Sequence, residues 1–397
     1  MLYEIHMIKN FPPTNLNRDD MGSPKTCIFG GVTRGRYSSQ CLKRAWRKSD
    51  VFCNWFNEAE LGIRTRLLPE LIAERLIEMG VTQEYVEYIK HELTKLGKKE
   101  SKKDKKSDET TSNADAAQND SDESEQKKCC TKQIVFYSPQ DIVKVVNTIK
   151  KMLDECTSLN DVKKIKCKTI QEALDDANTR AVTLDIALFG RMVTSNAFRN
   201  VEAAMQVAHA VSTNKVVVES DYFTAMDDLL SGGNLNEMGA GMVGDVDYNS
   251  SCYYIYATVD TDILRKSMND PENDNIIKKV IPALISTMAF SNPSGKQNSF
   301  AGHVLPSCML VVCKEKKIPV SLVNAFVKPV KAESNSDLIA ESIKKLAEET
   351  DMMDRSFELP VKARLWFNVD KYKIAPACAT ATFTKFQELV DAVAKQV

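Results

Sequence analysis

The chain has 397 residues, of which 43% are hydrophobic and 27% are charged, and its formal net charge is −1. This length allows two or three domains with sizeable cores. No run reaches the ~18 apolar residues of a membrane-spanning helix, and the N-terminus lacks the regions of a signal peptide. These features exclude the membrane-spanning and secreted classes, so we expect a cytoplasmic protein.

The 11 cysteines occur singly apart from the pair Cys129-Cys130, and the 4 histidines lie far apart in the sequence. No C-x-x-C spacing is present, so neither a disulfide framework nor a metal site is predicted. We expect reduced, mostly buried thiols and no cofactor.

The first elements have clear local patterns. Alternating apolar residues predict a strand over Met1–Met7, and the glycine-interrupted segment Ile28–Ser38 predicts a strand or a hairpin. Ser38 and Ser39 suit the N-cap of a helix over residues 40–48.

Residues 21–49 are strongly basic, with seven lysines and arginines and no acidic residue. Gln40, Lys43 and Arg47 fall on one face of the predicted helix, and apolar residues fall on another. A serine-capped helix start followed by basic side chains is typical of phosphate binding. A solvated amphipathic helix explains the same pattern equally well.

Helical spacing of apolar residues continues over residues 51–96 and 138–177. Between them, residues 98–128 contain eight lysines, nine acids and three alanines as their only hydrophobic residues. Such a segment cannot bury enough apolar surface to offset its ordering entropy, so we expect a disordered or solvated insert. The pattern predicts a mainly helical module over residues 56–180 that contains this insert.

The rest of the chain mixes both element types. The predicted strands are Arg180–Met192 (a strand or a strand and loop), Val216–Val218, Ser250–Asp260, Ser307–Cys313 and Ile318–Phe326. The predicted helices are Ala197–Val211 and Asp274–Ala289. Ser250–Asp260 is apolar on both faces, which indicates a central strand. Strands on both sides of a helical insertion predict an α+β fold whose sheet is built from discontinuous segments.

Collinear blocks over residues 1–330 show a family resemblance. The blocks are Pro13–Asp20, Gly22–Lys25, Ile28–Gly31, Ser38–Ala45, Leu184–Met192, Ala208–Ala210, Phe223–Leu229, Gly239–Met242 and Val323–Phe326. In them the chain resembles the CasC family, which supplies the backbone subunit of the type I-E CRISPR surveillance complex, Cascade. Residues beyond 330 resemble that family only loosely.

The resemblance implies an RNA-recognition-like (ferredoxin-like) antiparallel sheet, the palm, with inserted helical fingers and a protruding thumb loop. The implied bounds are 1–55, 181–218 and 250–397 for the palm with the C-terminal segment, 56–180 for the fingers with the insert at 98–128, and 219–249 for the thumb.

The resemblance also implies which residues bind RNA. The predicted RNA-binding residues are Asn17, Arg18, Lys25, Ser38, Ser39, Gln40, Lys43, Arg44, Arg47, Arg191 and Met192, with Lys296 as a further phosphate contact on a loop. Tyr222, Phe223 and Thr224 match the root of the thumb, where family members wedge between bases. A core anchor for the thumb is the alternative interpretation of the two aromatic residues.

Four lysines in the fingers are candidates for contacts with target DNA. They are Lys163, Lys164, Lys166 and Lys168. A solvated helix face is the favoured interpretation of this run.

The function implied by the resemblance is that of a non-enzymatic subunit that binds CRISPR guide RNA in antiviral interference. Copies would stack along the guide as an open helical filament, hold its phosphates and kink it at intervals for pairing with target DNA. The expected partners are guide RNA, the target DNA strand, further copies of the chain and other Cascade subunits, with no membrane.

Two other functions are compatible with the residues alone. A metal-dependent ribonuclease needs clustered carboxylates, for which the candidates are Asp19, Asp20, Asp227 and Asp228; the first two are also placed to neutralise nearby arginines. A stand-alone RNA-binding protein of RNA-recognition-like fold would bind as a monomer. The G-x-G-x-x-G run at Gly239–Gly244 precedes a predicted strand, so we expect no dinucleotide site.

Overall fold

A computed structural model describes residues 1–96, 129–175, 182–193, 197–225, 242–268, 274–333 and 336–397. The strands are β1 (Leu2–Thr14), β2 (Thr26–Phe29), β3 (Val32–Tyr37), β4 (Ile63–Thr65), β5 (Val135–Tyr137), β6 (Met205–Val207), β7 (Ala210–Ser212), β8 (Glu219–Ala225), β9 (Met242–Asp260), β10 (Cys308–Lys314), β11 (Ala363–Asn368) and β12 (Ala381–Phe383).

The helices are α1 (Ser39–Arg47), α2 (Asp50–Cys53), α3 (Leu68–Glu78), α4 (Gln83–Leu93), α5 (Pro139–Asp154), α6 (Leu159–Val162), α7 (Cys167–Asp175), α8 (Leu184–Phe189), α9 (Thr261–Met268), α10 (Asp274–Phe290), α11 (Gln297–Phe300), α12 (Leu338–Phe357) and α13 (Phe386–Ala394). Short 3-10 helices cover Glu58–Glu60 and Val323–Phe326.

The chain divides into two compact units. The first, called here the sheet unit, comprises Met1–Asn57 and Ala204–Val397. The second, called here the helical unit, comprises Glu58–Ala203. The predicted bounds of palm, fingers and thumb stay predictions.

A ten-stranded sheet forms the centre of the sheet unit, in the order β12-β11-β10-β1-β9-β7-β3-β2, with β6 and β8 also paired to β9. The pairings are antiparallel except for β11 with β12. Strand β9 lies between β1 and β7, and it is buried on both faces from Ser251 to Asp260. The predicted α+β class, with a large and mostly antiparallel sheet, is confirmed, and so is the central position of this strand.

Both faces of the sheet are covered. On one face Tyr254 and Leu310 belong to the same buried cluster as Ile343 of α12. Neighbouring residues of a strand point to opposite faces, so Tyr253 lies on the other side. There its ring stacks on Tyr37 with the ring centroids 4.2 Å apart.

Ionisable groups inside the sheet are paired or neutral. The ammonium of Lys314 lies 2.7 Å from the carboxylate of Glu4, and burial raises the pKa of Glu4. Burial, and then the charge of Lys314, lowers the pKa of His6 to about 3. His6 is therefore a neutral core residue whose Nδ1 lies 2.8 Å from the hydroxyl of Tyr254.

The helical unit has its own core, formed chiefly by α3, α4, α5 and α7. Helix α5 begins with a reciprocal cap: the Ser138 hydroxyl accepts from the Asp141 amide, and the Asp141 carboxylate accepts from the Ser138 amide. Strands β4 and β5 form a separate antiparallel pair in this unit. The predicted insert at 98–128 lies outside the described residues.

Several predicted elements match the structure. Helix α1 confirms the helix predicted over residues 40–48, and α10 confirms the helix predicted over Asp274–Ala289. Strand β10 confirms the strand predicted over Ser307–Cys313. Each of these has a strong local pattern.

Four other predicted elements are wrong. Helix α8 lies within the predicted strand Arg180–Met192, and strands β6 and β7 lie within the predicted helix Ala197–Val211. Ile318–Phe326 is loop and 3-10 helix, and Val216–Val218 is not a strand. Short apolar runs do not distinguish helix from strand, and pairing of β6 with β9 overrides the helix propensity of an alanine-rich segment.

All 11 cysteines lie in the described residues and are free thiols. Four are buried and seven are half-buried, so the thiols are less buried than predicted. Within the described ranges, no helix combines the length and the apolar character needed to cross a bilayer.

Candidate nucleic-acid interface

Helix α1 holds basic side chains on a capped and packed scaffold. The Ser38 hydroxyl accepts a hydrogen bond from the Cys41 amide at 3.3 Å, which makes Ser38 the N-cap. Leu42 and Trp46 are buried beneath the helix, as predicted. The first turn has no acidic residue, so no side chain of the helix offsets the positive end of its dipole.

The polar side chains of α1 differ in exposure. Gln40 and Arg44 are exposed, whereas Lys43 and Arg47 are half-buried, as is Ser39. Partial burial lowers the pKa of Lys43. A phosphate at this surface would therefore meet a lysine that has already lost part of its hydration.

The loop before β2 is fastened to the start of α1. The side-chain oxygen of Asn17 accepts from the Ser38 amide at 2.8 Å, and the Asn17 carbonyl accepts from the Lys25 amide at 2.9 Å. Arg18 is exposed next to Asn17 and pairs with Pro24 in a β-bridge. The structure thus brings Asn17, Arg18, Lys25 and the N-terminus of α1 together.

Asp19 stabilises a turn in this loop. Its carboxylate accepts from the amides of Met21 and Ser23, each at 3.0 Å. These contacts replace the predicted neutralisation of arginines. Across the part of the chain that the structure describes, no three His, Cys, Asp or Glu side chains form a metal-binding group, and Asp227 and Asp228 lie outside that part.

Arg34 does not belong to the basic surface, although the sequence counts it there. Its side chain is fully buried, and its guanidinium donates to the carbonyls of Ser212, Thr213, Phe326 and Val327. Burial lowers the pKa of Arg34. This arginine joins β3 to two distant loops instead of facing a ligand.

Lys296 lies on a loop that packs against the loop before β2. A Cβ on Gly295 would come within 2.4 Å of the Leu16 carbonyl oxygen, so only glycine allows this approach. The loop is anchored by Lys9, whose ammonium donates to the Ser291 carbonyl at 3.2 Å and to the Asn292 side-chain oxygen at 3.1 Å. Lys296 is therefore held close in space to the segment that contains Asn17 and Arg18.

Lys9 is a buried cation with polar but uncharged partners. It is 1% exposed, and burial lowers its pKa to about 7. Sequence analysis did not single it out, because it occupies one position in a long apolar strand. Nothing in that pattern distinguishes a lysine that enters the core from one at an exposed edge.

Strand β8 and residues Met242–Asn249 of β9 form an antiparallel ribbon, called here the arm. Every residue of β8 is exposed, including Thr224, and Tyr222 is 68% and Phe223 37% exposed. The Phe223 ring lies over Gly244, where an added Cβ would come within 2.8 Å of it. The alternative interpretation of these aromatic residues as core anchors is not what the arm shows: they lie at its surface.

The described part of the arm carries acidic residues and no basic ones. They are Glu219, Asp221, Asp245 and Asp247. Phosphates are repelled by such a ribbon, so a nucleic acid would contact it through bases on the aromatic rings.

Asn15 connects the arm to the loop before β2. Its side-chain amide donates to the carbonyls of Asp247 at 2.7 Å and Gly22 at 2.9 Å. The Ser23 hydroxyl donates to the Asp247 carboxylate. Sequence analysis did not assign this role to Asn15, because Asp247 is 232 positions away.

Arg191 and Met192 belong to the helical unit and differ sharply in exposure. The Arg191 guanidinium is buried, lies 2.6 Å from the Asp141 carboxylate and donates to the carbonyls of Phe136 and Arg199. Met192 is 88% exposed. Arg191 thus stabilises its own unit, and the RNA contact predicted for it stays a prediction.

The four lysines predicted to touch DNA are exposed in the helical unit. They span the turn between α6 and α7 and the start of α7. Lys164 pairs with Asp161 at 2.8 Å, and Lys166 donates to the Tyr88 hydroxyl at 2.9 Å. These local contacts favour a solvated surface for Lys164 and Lys166, while Lys163 and Lys168 are also exposed.

Comparisons with known proteins agree with the fold. A chain of a solved structure described as "CRISPR RNA-guided surveillance complex, pre-nicking" is 24% identical with a TM-score of 0.79 over 100% of both chains. A chain of another, described as "CRISPR RNA-guided surveillance complex", is 20% identical with a TM-score of 0.59 over 100% of this chain and 99% of that one. At these identities the likeness shows the fold alone. No curated protein matched the sequence.

The fold and the surface define an α+β protein with a large antiparallel sheet, a capped basic helix and an exposed aromatic arm. The chain belongs to the CT1975-like family of CRISPR-associated proteins, whose profile matches residues 3–392. The predicted membership of a CRISPR-associated family is thereby confirmed. The narrower assignment to the type I-E CasC family stays a prediction.

Proposed function

We propose that the chain is the guide-RNA-binding backbone subunit of a type I-E CRISPR surveillance complex. It holds the phosphate backbone of the guide without catalysing a reaction, and copies assemble along the guide as a cytoplasmic filament. Its partners are the guide RNA, the target DNA strand, further copies of the chain and other Cascade subunits.

One observation carries this proposal: the basic surface of α1 and the loop before β2 is a built and acid-free feature. Ser38 caps the helix, Asn17 ties the loop to the cap, and Lys43 and Arg44 lie on the following turn. A guide of variable sequence has to be bound through its backbone and by stacking. Cations on α1 and aromatic rings on the arm supply those two kinds of contact.

Family membership and likeness in fold support the same function. Both similar chains belong to structures described as RNA-guided surveillance complexes. We extend RNA binding to this chain through Asn17, Arg18, Lys25, Lys296 and residues of α1. Tyr222 and Phe223 of the arm would stack on bases where the guide is kinked.

A nuclease footprint on a guide-like RNA tests the proposal. With wild-type protein at low salt, we expect protection that repeats at a fixed nucleotide interval. Lys43→Glu/Arg44→Glu should abolish protection, because two phosphate contacts become repulsive. Lys266→Glu/Lys344→Glu is the matched control, since it makes the same charge change at exposed positions on α9 and α12.

Other footprints would contradict the proposal in different ways. A single protected patch would identify a stand-alone RNA-binding protein. Strand scission that requires Mg²⁺ and is lost on Asp19→Ala/Asp20→Ala would identify a nuclease. Equal protection by the Lys43→Glu/Arg44→Glu and control variants would show that RNA binds elsewhere on the chain.

A further inference from the structure

His209 lies at an exposed position between β6 and β7, beside a cationic side chain. Its Nδ1 is 2.8 Å from Nη1 of Arg36. A guanidinium only donates hydrogen bonds, so Nδ1 has to be the acceptor. His209 is therefore neutral in this conformation, and its proton is on Nε2, which leaves an N–H group available to a ligand.

The His209–Arg36 pair is connected to the predicted RNA-binding surface. The Arg36 amide donates to the Lys25 carbonyl at 2.9 Å, and the Lys25 amide donates to the Asn17 carbonyl at 2.9 Å. Arg36 also pairs with Val211 across the sheet, which fixes β7 beside β3. The positive charge of Lys25 acts both on His209 and on Cys41 of α1.

The groups around His209 favour its neutral form until an anion arrives. Partial desolvation first, and then the charges of Arg36 and Lys25, hold the pKa of His209 below its usual value. The other titratable neighbours are neutral: burial raises the pKa of Cys27 on β2 and of Tyr256 on β9. Two cations and a neutral histidine on adjacent segments form a site that a single phosphate would complete.

We infer that His209, Arg36 and Lys25 form a further phosphate-binding site for RNA, at which His209 takes up a proton from solvent when the phosphate binds. This inference rests on the proposed function. The phosphate supplies the negative charge that stabilises an imidazolium. Once Nδ1 is protonated it no longer accepts from Arg36, so the guanidinium becomes free to donate two hydrogen bonds to the phosphate.

The sign of the pH dependence follows from this exchange. Bound RNA raises the pKa of His209 above its value in the free protein, so the complex binds more protons than its separated components. The affinity for RNA therefore increases as the pH falls. One coupled proton changes the dissociation constant by at most about tenfold per pH unit.

The experiment is filter binding of a radiolabelled uridine homopolymer at constant ionic strength, at about pH 6 and about pH 8, the range in which histidine titrates. Wild-type protein should bind several-fold more tightly at the lower pH. His209→Asn should bind equally at both, because its side-chain oxygen accepts from Arg36 as Nδ1 does but gains no charge. The control His303→Asn changes another exposed histidine of the sheet unit and should keep the wild-type ratio.

Calorimetry in buffers of different ionisation enthalpy gives a second readout. Proton uptake on binding should appear for wild-type protein and be absent for His209→Asn. An unchanged pH ratio in His209→Asn, or pH-independent binding by the wild type, would overturn the inference. A failure of the proposed function is separate, since Lys43→Glu/Arg44→Glu would then bind RNA normally at both pH values.

Discussion

Helix α1 and the arm belong to the same unit, yet they offer opposite surfaces to a nucleic acid. Helix α1 has basic side chains above buried Leu42 and Trp46. The arm has exposed rings, Tyr222 and Phe223, on a ribbon whose charges are all negative. Charge on a packed element suits phosphates, whereas rings on an acidic ribbon suit bases, so the difference separates holding the RNA backbone from spacing its bases.

Replacing Arg34 tests which arginines of β3 belong to that surface, and it should have the largest effect. Arg34→Met removes the donors for four carbonyl groups, so we expect a loss of about 3 kcal/mol in the free energy of unfolding. Arg36→Met, two positions along the same strand, is the control and should change stability by less than about 0.5 kcal/mol. Urea denaturation measures both, and equal losses would contradict the assignment of Arg34 to the core.

Charge reversal on α1 should have the next largest effect. Lys43→Glu/Arg44→Glu is expected to weaken RNA binding by about 100-fold at low salt. It should also lower the slope of log K against log salt by roughly 1.4, because each neutralised phosphate contributes ~0.7 on a single strand. A salt titration of RNA binding measures both, and a weakened affinity with an unchanged slope would mean that α1 acts without neutralising phosphates.

Removing the rings of the arm should give a different signature. Tyr222→Ala/Phe223→Ala is expected to cost about 1–3 kcal/mol of binding for each base that stacks, with the salt slope unchanged. The matched control is Tyr248→Phe, which keeps a ring and removes only a hydroxyl. If the double alanine variant changed the salt slope and not the affinity, the division between holding and spacing would fail.

Neutralising the acidic residues of the arm should have the smallest effect. Asp221→Asn/Asp245→Asn removes two negative charges at exposed positions, so RNA binding should improve only a few-fold at low salt. The gain should disappear at high salt, where exposed charges are screened. Binding curves at two ionic strengths measure it, and a weaker affinity would show that these carboxylates make favourable contacts instead.

The parts of the fold set by local pattern were predictable from the sequence. Helix α1 with its Ser38 cap follows from serine, spacing and propensity within ten residues, and β9 follows from alternation on both faces. Arg34 and Arg36 look equivalent in sequence, because both lie on the same face of β3. They differ through Ser212 and Phe326, which are 178 and 292 positions from Arg34.

Long-range pairing also explains what sequence reasoning missed at the candidate site. His209 lies in a segment predicted as helix, and its proximity to Arg36 depends on the pairing of β3 with β7. Asn15 contacts the arm only because β1 and β9 pair along their length, up to Thr14 and Asn249. Composition and spacing identified the basic segment, whereas the residues that orient it depend on strand order.

Strand β9 continues from the arm into the centre of the sheet without a break. Its 19 residues, at about 3.3 Å each, extend for roughly 60 Å. The arm is thus the outer half of the same beam that β1 and β7 grip at its inner half. A load applied along the arm would be carried by the row of hydrogen bonds between β9 and β1 in shear, so the arm is anchored as a lever in the stiffest part of the unit.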